Sequence, residues 1–459
     1  MIDEKQKKRI HIIGIKGWGT SALAQLLVAQ GNTVCGSDFP TYYRTQDLLT
    51  ERGIILEEFC DHIHDGVDEV IYSTAYMAHP EFVDARKKGI SCFSYPERLA
   101  PLLNSHAKSI AVSGTHGKTT TTGWLAYVLH TLGVNPSALI GSRVTQFGTN
   151  VLAGDSDYFV LEADEYQKKL DRYNPCVAVI TSVEYDHPDF FKTEEEYREV
   201  FKNFAQRVIK RGKLLVCWED AGVRATLGPV HDHQLLLYGF DESYTYSAQH
   251  IEYTSFGSQF EIFEEGERVG TCAIQLLGTH NILNALAVYG ACRMIGISIS
   301  SELFSAISSF QGTARRAQLR APLGNTIVID DYAHHPTEVR VTLQAIRNQY
   351  PDKKILCVFF PHTFSRTEKL FKDFVTCFDS VDEVALIDIY GSVREQSGTV
   401  TSQQLADAIN ARVHGNVVAH ATGSQAQTGE FVKDHIHAFD VLVTMGADDL
   451  WKEWDVWKF

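Results

Sequence analysis

Gly114-Thr115-His116-Gly117-Lys118-Thr119-Thr120 follows the apolar run Ile110-Ala111-Val112 and leads into a helix-patterned stretch with Trp124, Leu125, Val128, Leu129 and Leu132. A strand that passes through a glycine turn into a helix N-terminus presents unpaired backbone N–H groups and the positive end of the helix dipole. That is a cradle for phosphate. Lys118 adds a point charge for terminal phosphates, and the Thr119 hydroxyl is of the kind that ligates Mg²⁺. All seven residues from Gly114 to Thr120 are therefore candidate nucleotide-binding positions. The spacing departs from the usual phosphate-loop pattern, which has a glycine where Val112 stands.

Working outward, 459 residues are too many for one ordinary core, and at about 150 residues per domain the length predicts about three. A formal charge of −15 argues against a nucleic-acid-binding surface while leaving room for a local basic site. The nine cysteines stand singly, with no Cys-x-x-Cys pair, so neither a disulfide framework nor a zinc knuckle is implied and a reducing cytoplasm is expected. The charged stretch Met1 to Arg9 lacks the apolar centre of a signal peptide, and no run of about 18 apolar residues occurs, so no membrane insertion is expected.

The alternation of strand and helix patterns predicts an α/β protein of three domains, 1–106, 107–312 and 313–459. In the first, the strand His11-Ile12-Ile13 runs into Gly14-Ile15-Lys16-Gly17-Trp18-Gly19, a helix pattern follows, and a second strand ends at Asp38, about 20 residues beyond the glycines. That is a Rossmann-like beginning. The glycine order is Gly-x-x-Gly-x-Gly, not the dinucleotide fingerprint, which points away from NAD and toward another diphosphate ligand. The central segment has strands at Tyr158 to Leu161 and Val177 to Ile180, then a strand-rich stretch from Gln234 to Leu277 with a hairpin near Gly266. Gly278-Thr279-His280-Asn281 begins another helix pattern. The third segment alternates again, with strands at Thr326 to Asp330, Ile355 to Phe360, Val384 to Ile389 and Val441 to Thr444. Pro336 suits the first position of a helix begun by His334-His335.

Acidic and histidine side chains sit where these strands end: Glu162-Ala163-Asp164-Glu165 after one, Asp186-His187 after the next. Ligand groups belong at the carboxyl ends of parallel strands, and Mg²⁺ takes oxygen ligands. His231-Asp232-His233 and His62-Ile63-His64 read as surface loops.

Taken together, the phosphate loop, Glu162 to Glu165, Asp186-His187, Gly278-Thr279-His280-Asn281-Ile282-Leu283-Asn284-Ala285, Arg315-Arg316 and the run from Asp330 to Glu338 resemble the Mur ligases, in order and over nearly the whole chain. The resemblance implies a Rossmann-like UDP-binding domain, a central ATPase-type domain and a Rossmann-like C-terminal domain. It further implies an enzyme that uses ATP and Mg²⁺ to turn a carboxylate of the cytoplasmic peptidoglycan precursor into an acyl phosphate, which an amine attacks. Within the family, Asp330 to Pro336, Pro361 to Thr367 and Met445 to Trp451 resemble the branch that adds L-alanine to UDP-N-acetylmuramate. Glu165 to Leu170 and Glu184 to Phe191 resemble instead the branch that reattaches an L-alanyl-γ-D-glutamyl-diaminopimelate tripeptide to the same acceptor. The alanine reaction is the expectation, the tripeptide reaction the alternative, and a monomer or weak homodimer is expected.

Carried onto these positions, the resemblance gives Lys118 the ATP phosphates, Thr119 and Glu162 a first Mg²⁺, and His187 a second. His280 and Asn281 would meet the adenine, Asp331 the ribose and Arg316 the γ-phosphate, with His335 and Arg366 near the amino acid. Gly14, Gly17, Gly19, Asp38 and Ser73 would hold the UDP-sugar, although Lys16 replaces an expected glycine. Some relatives carry a carbamylated lysine on the helix after the metal histidine; Phe201 falls at that place, with Lys202 beside it, and no such lysine is assigned.

Overall fold

Strands whose side chains are buried on both faces are the mark of parallel sheets covered by helices, and the apolar runs of this chain build three of them. The computed structural model describes residues 7–230, 234–254, 257–391, 395, 397–412, 417–447 and 450. His231, Asp232 and His233 lie outside the described residues, as do Asp448, Asp449 and Trp451 of the C-terminal motif. The architecture is α/β, as expected.

In the first sheet five parallel strands run in the order Ile55–Glu58, Thr33–Asp38, Arg9–Ile13, Glu69–Tyr72, Ser91–Ser94. The order reverses beside Arg9–Ile13, the place where a crevice opens in such sheets. The glycine turn after that strand and the N-terminus of helix Trp18–Ala29 stand there.

Ten strands make the second sheet. Lys108–Ser113, which ends in the phosphate loop, lies parallel between Tyr158–Glu162 and Val177–Ile180. This register sets Glu162 on one flank of the loop and the segment from Thr181 to His187 on the other. The sheet is extended by antiparallel strands Tyr246–Thr254, Gly257–Glu264 and Glu267–Ile274, so the hairpin near Gly266 is present.

The third sheet runs Gln318–Leu319, Ile327–Asp331, Val441–Gly446, Ile355–Phe360, Glu383–Ile387, Val418–Gly423. All but the short first strand are parallel. Val418–Gly423 had no counterpart in the sequence reading, because it is an edge strand of composition VAHATG and only one of its residues is buried.

The cores are not equally separate. One continuous apolar cluster includes Ile12, Leu23 and Leu99 of the first sheet's layers together with Leu161, Ile180 and Phe204 of the second's. A buried amide pair adds to that junction: Gln25 donates to Asn150 Oδ1 at 3.0 Å and Asn150 donates to the Trp18 carbonyl at 3.2 Å. Around the third sheet the apolar clusters begin only at Val328 and Ile329 and join neither of the others. Among the described residues no helix is long and apolar enough to cross a membrane.

Candidate active site

The phosphate loop is fastened at its base before any ligand arrives. Gly114 has φ 134°, and a Cβ there would stand 2.2 Å from Thr181 Oγ1 and 2.8 Å from the Ser182 nitrogen, so only glycine passes. Thr115 N–H donates to the Ser182 carbonyl at 3.0 Å, and His116 N–H donates to Ser182 Oγ at 2.8 Å. Gly117, at φ 80°, turns the chain into helix Lys118–Thr131. The free N–H groups of that helix start point at the space above the loop.

Lys118 folds over its own loop, donating to the carbonyls of Gly114 and Thr115 and to Glu165 Oε2 at 3.1 Å. Burial works against its charge, but Glu165, with Glu162 and Asp164 behind it, more than compensates and raises the Lys118 pKa. Thr119 donates to Glu162 Oε1 at 2.8 Å, and Gly141 N–H donates to Glu162 Oε2 at 2.6 Å. Burial pushes the Glu162 carboxyl up despite those two donors. A partly buried carboxylate touching a hydroxyl is an all-oxygen donor set suited to a hard cation.

Two cavities meet at the loop. The smaller, of about 300 Å³, has apolar walls from Leu276, Leu283, Val341 and Ala345, with Gly117 and Thr120 at one end and His280, Asn281, Arg316 and Asp331 among the polar groups. The larger, of about 530 Å³, touches all three sheets' loops: Gly17, Gly19 and Ser73 at one end, Lys118, Thr119, Glu162 and His187 in the middle, His362 and Arg366 at the other. Gly117, Arg316 and Glu338 line both.

In the smaller cavity burial lowers the His280 pKa to about 4, helped by Arg316, so the ring is neutral. Its Nδ1 is buried without a hydrogen-bond partner while Nε2 lies 3.1 Å from the Asn281 amide nitrogen. Asn281 donates to the Leu277 carbonyl at 2.7 Å and accepts from Asn284 at 3.0 Å, which fixes its amide. Asp331 accepts from Ala317 N–H at 2.6 Å and Ala333 N–H at 2.7 Å, and burial raises its pKa to about 6. The two adjacent arginines diverge. Arg315 is buried at the edge of the larger cavity, donating to Asp330 at 3.2 Å and to the Gly446 carbonyl at 2.7 Å, whereas Arg316 lines both cavities.

Several residues here hold left-handed backbone without being glycine: His187 (φ 56°), Arg315 (φ 59°), Ala317 (φ 45°) and Thr363 (φ 70°). Such strain persists only where surrounding contacts hold it, and it concentrates at working sites.

Between the second and third sheets the contacts are polar. Asp186 takes Arg366 Nε at 2.9 Å and Arg366 Nη2 at 3.2 Å. Burial opposes the Asp186 charge, but Arg366, then His187, holds the carboxyl well below its usual range. His116 bridges Glu184 at 2.7 Å and Glu338 at 3.0 Å, and Thr337 donates to Glu184 at 2.6 Å. Burial alone would lower the His116 pKa; the bonds to Glu184 and Glu338 overcome it and bring it to about 10, while Glu184 falls to about 2.

Of the residues expected from sequence, Thr115 to Thr120 of the loop, Glu162, His187, His280, Asn281, Arg316, Asp331 and Arg366 line the two cavities, whereas Gly114 lines neither and packs against Thr181 and Ser182. Gly17, Gly19 and Ser73 line the larger one, but Gly14 and Asp38 do not: Gly14 packs under Tyr76, and Asp38 accepts the N–H groups of Lys16 at 2.7 Å and Phe39 at 2.8 Å. His335, expected beside the amino acid, lines neither cavity and caps helix Pro336–Gln349, accepting from Thr337 N–H at 3.3 Å. Arg366 is already engaged by Asp186. Phe201 is wholly buried and Lys202 points out beside Glu199, so neither supplies a lysine to the site. The sequence reading gave no part to Glu165, Glu184 or Glu338, although each lies inside a quoted motif; their meaning comes from pairing with Lys118 and His116, which spacing does not reveal.

Domain models of one family match the chain in sequence order: the Mur ligase family catalytic domain over residues 9–107, the Mur ligase middle domain over 112–292, and the Mur ligase glutamate ligase domain over 315–448. A UDP-N-acetylmuramate–L-alanine ligase of Alkaliphilus metalliredigens is 36% identical over 98% of this chain and 97% of its own. The chain belongs to the Mur ligase family. This Mur ligase is also 37% identical to the enzyme of the same name from Clostridium acetobutylicum, over 97% of this chain and 96% of the other. Among solved structures, the UDP-N-acetylmuramate–alanine ligase of Thermotoga maritima superposes with a TM-score of 0.81 at 24% identity, over 98% of each chain, a likeness of fold.

Proposed function

We propose that this Mur ligase joins L-alanine to UDP-N-acetylmuramate and cleaves ATP to ADP and phosphate, its units 1–106, 107–312 and 313–459 serving the UDP-sugar, the ATP and the amino acid. The observation that carries the reading is the larger cavity, which runs from the Gly17 helix start past Lys118 to Arg366 and so gives a sugar nucleotide, a triphosphate and a small amine one common space. The names borne by relatives at 36–37% identity over nearly the full chain support the same reaction.

In this reading the neutral His280 ring and the Asn281 amide take the base in the apolar pocket, and the Asp331 carboxylate takes the ribose. The phosphates then lie over the N–H groups of the loop, with Lys118 and Arg316 on either side. Those cations matter because the muramoyl carboxylate and the triphosphate repel each other and must still be held in line. Mg²⁺, for which Thr119 and Glu162 offer a first set of ligands and His187 a second, supplies further charge neutralisation there. Carboxylate attack on the γ-phosphorus expels ADP and leaves an acyl phosphate. The amine then displaces phosphate, and the oxyanion of that step is stabilised by the same cations. His334 and His362 are kept neutral by burial, with pKa values near about 4 and about 3, so the amine end of the cavity carries little positive charge beyond the paired Arg366.

The test is ADP release with UDP-N-acetylmuramate and one amine at a time. L-alanine is expected to be fastest, with glycine and L-serine slower by about 10- to 200-fold per methylene-sized difference. Faster release with the L-alanyl-γ-D-glutamyl-diaminopimelate tripeptide would replace this reading by the tripeptide-joining one.

A further inference from the structure

We propose that His116, Glu184 and His335 form a binding site for a transition-metal ion of the Zn²⁺ class, separate from the Mg²⁺ positions at Thr119, Glu162 and His187. One donor atom from each of the three residues lies within 4.8 Å of the other two. His116 Nε2 stands 2.7 Å from Glu184 Oε2, His335 Nδ1 stands 3.9 Å from the same oxygen, and the two imidazole rings are 5.0 Å apart. Tetrahedral ligands at Zn²⁺ bond lengths sit about 3.3 Å from one another, so modest side-chain movements close the set. Two imidazoles and one carboxylate with a fourth position open is a donor set for Zn²⁺, whereas Mg²⁺ prefers oxygen throughout.

The surroundings match what a metal site needs beyond its ligands. Ligating histidines commonly give their second nitrogen to a carboxylate, and ligating carboxylates are themselves hydrogen-bonded. Here His116 Nδ1 is held by Glu338 Oε1 at 3.0 Å, and the second oxygen of Glu184 accepts the Thr337 hydroxyl at 2.6 Å. His335 Nε2 is buried with no hydrogen-bond partner, so the tautomer with hydrogen on Nε2, which leaves the Nδ1 lone pair for a metal, sacrifices no existing bond there. Ligation would exchange the 3.3 Å contact from Thr337 N–H at His335 and the 2.7 Å hydrogen bond between His116 Nε2 and Glu184, the ion displacing the proton that His116 shares with that carboxylate.

His116 belongs to the phosphate loop, Glu184 to the strand end beside it, and His335 to the helix start of the third unit. An ion held by all three therefore fastens the third unit over the loop and opposes nucleotide exchange. Binding is independent of the ligase reading, on which only this inhibitory consequence rests.

The experiment titrates the full-length protein, in buffer without Mg²⁺, with Co²⁺ as a spectroscopic probe and with Zn²⁺ against a chromophoric chelator. Expected are one equivalent bound, a tetrahedral visible Co²⁺ spectrum, and no sulfur charge-transfer band from the nine cysteines. Glu184→Gln and His335→Gln should each weaken binding by about 100-fold or more and Glu338→Gln by about 10- to 100-fold, with Glu162→Gln without effect. Thermal melts check that the variants fold; if His335→Gln does not, because His335 caps its helix, Glu184→Gln decides alone. No binding by the parent, undiminished binding by Glu184→Gln, a sulfur band, or loss of binding in Glu162→Gln would each overturn the proposal.

Discussion

Lys118 shows what a single residue's neighbours add to its motif. Its place after Gly117 marks it as a phosphate ligand from sequence alone, but nothing in the spacing says that Glu165 lies 3.1 Å from its ammonium. Lys118→Ala is expected to lower turnover by about 10² to 10³ or more, by analogy with removing a preorganised electrostatic donor. Its loss also takes the cation from Glu165 Oε2 and leaves that buried carboxylate only Tyr197 and His187 at its other oxygen, so Lys118→Ala with Glu165→Gln should melt at a higher temperature than Lys118→Ala alone while remaining as inactive. A single variant retaining more than a third of parent turnover would remove Lys118 from the phosphates. Glu162→Gln is expected to raise the Mg²⁺ concentration needed for half-maximal rate, because an amide is a poorer ligand than a carboxylate for a hard ion. Superimposable Mg²⁺ titrations of variant and parent would exclude Glu162 as a ligand.

At the scale of the element, the phosphate loop and the helix after it were legible because glycine, lysine and the apolar period all agree over Gly114 to Leu132. Helix Pro336–Gln349 was legible from its proline. So was the place of His335 at its start, but not that His335 lines neither cavity, because where its ring packs depends on the fold around it. The N-terminal loop was read only in part: Gly17 and Gly19 reach the cavity, but Asp38 is spent on the backbone of Lys16 and Phe39. Gly114→Ala is expected to abolish nucleotide binding with the secondary structure retained, because its Cβ would meet backbone of Ser182 as well as Thr181. Calorimetric ATP affinity within about tenfold, roughly 1.4 kcal/mol, of the parent would contradict that close approach.

The bridge from His116 to the third unit adds a pH dependence. Its pKa is raised from 6.5 to about 10, so its stabilising contribution is complete below about pH 6.5 and is lost as pH rises through about 10. Glu184 is lowered from 4.5 to about 2, so its contribution is complete above about pH 4.5 and fails as pH falls toward 2. Denaturant titrations should accordingly show His116→Gln most destabilised relative to the parent between about pH 4.5 and 6.5, with the gap narrowing toward pH 10. A gap of constant size across that range would mean that His116 is not charged in the folded protein.

Across the whole molecule the two junctions differ in kind. The first and second units share one apolar cluster and a buried Gln25–Asn150 pair, while the second and third meet through Asp186–Arg366, His116–Glu338 and Glu184–Thr337. Removing one partner of a buried ion pair costs about 3–5 kcal/mol, because the other is left uncompensated. Arg366→Ala is therefore expected to release the third unit, visible as a larger radius of gyration in small-angle X-ray scattering, whereas Asn150→Ala leaves the radius unchanged. An unchanged radius for Arg366→Ala would show that the remaining contacts suffice to hold the junction.

The carboxylates around the loop have a consequence for how a triphosphate enters. Lys118 already faces Glu165, and His116 already faces Glu184 and Glu338, so both cations of the loop have carboxylate partners before substrate arrives. An incoming polyanion does not drop into a well of unmet positive charge; it has to trade places with resident counterions. Each turnover becomes a swap of partners, in which the guest's departure is as well provided for as its arrival.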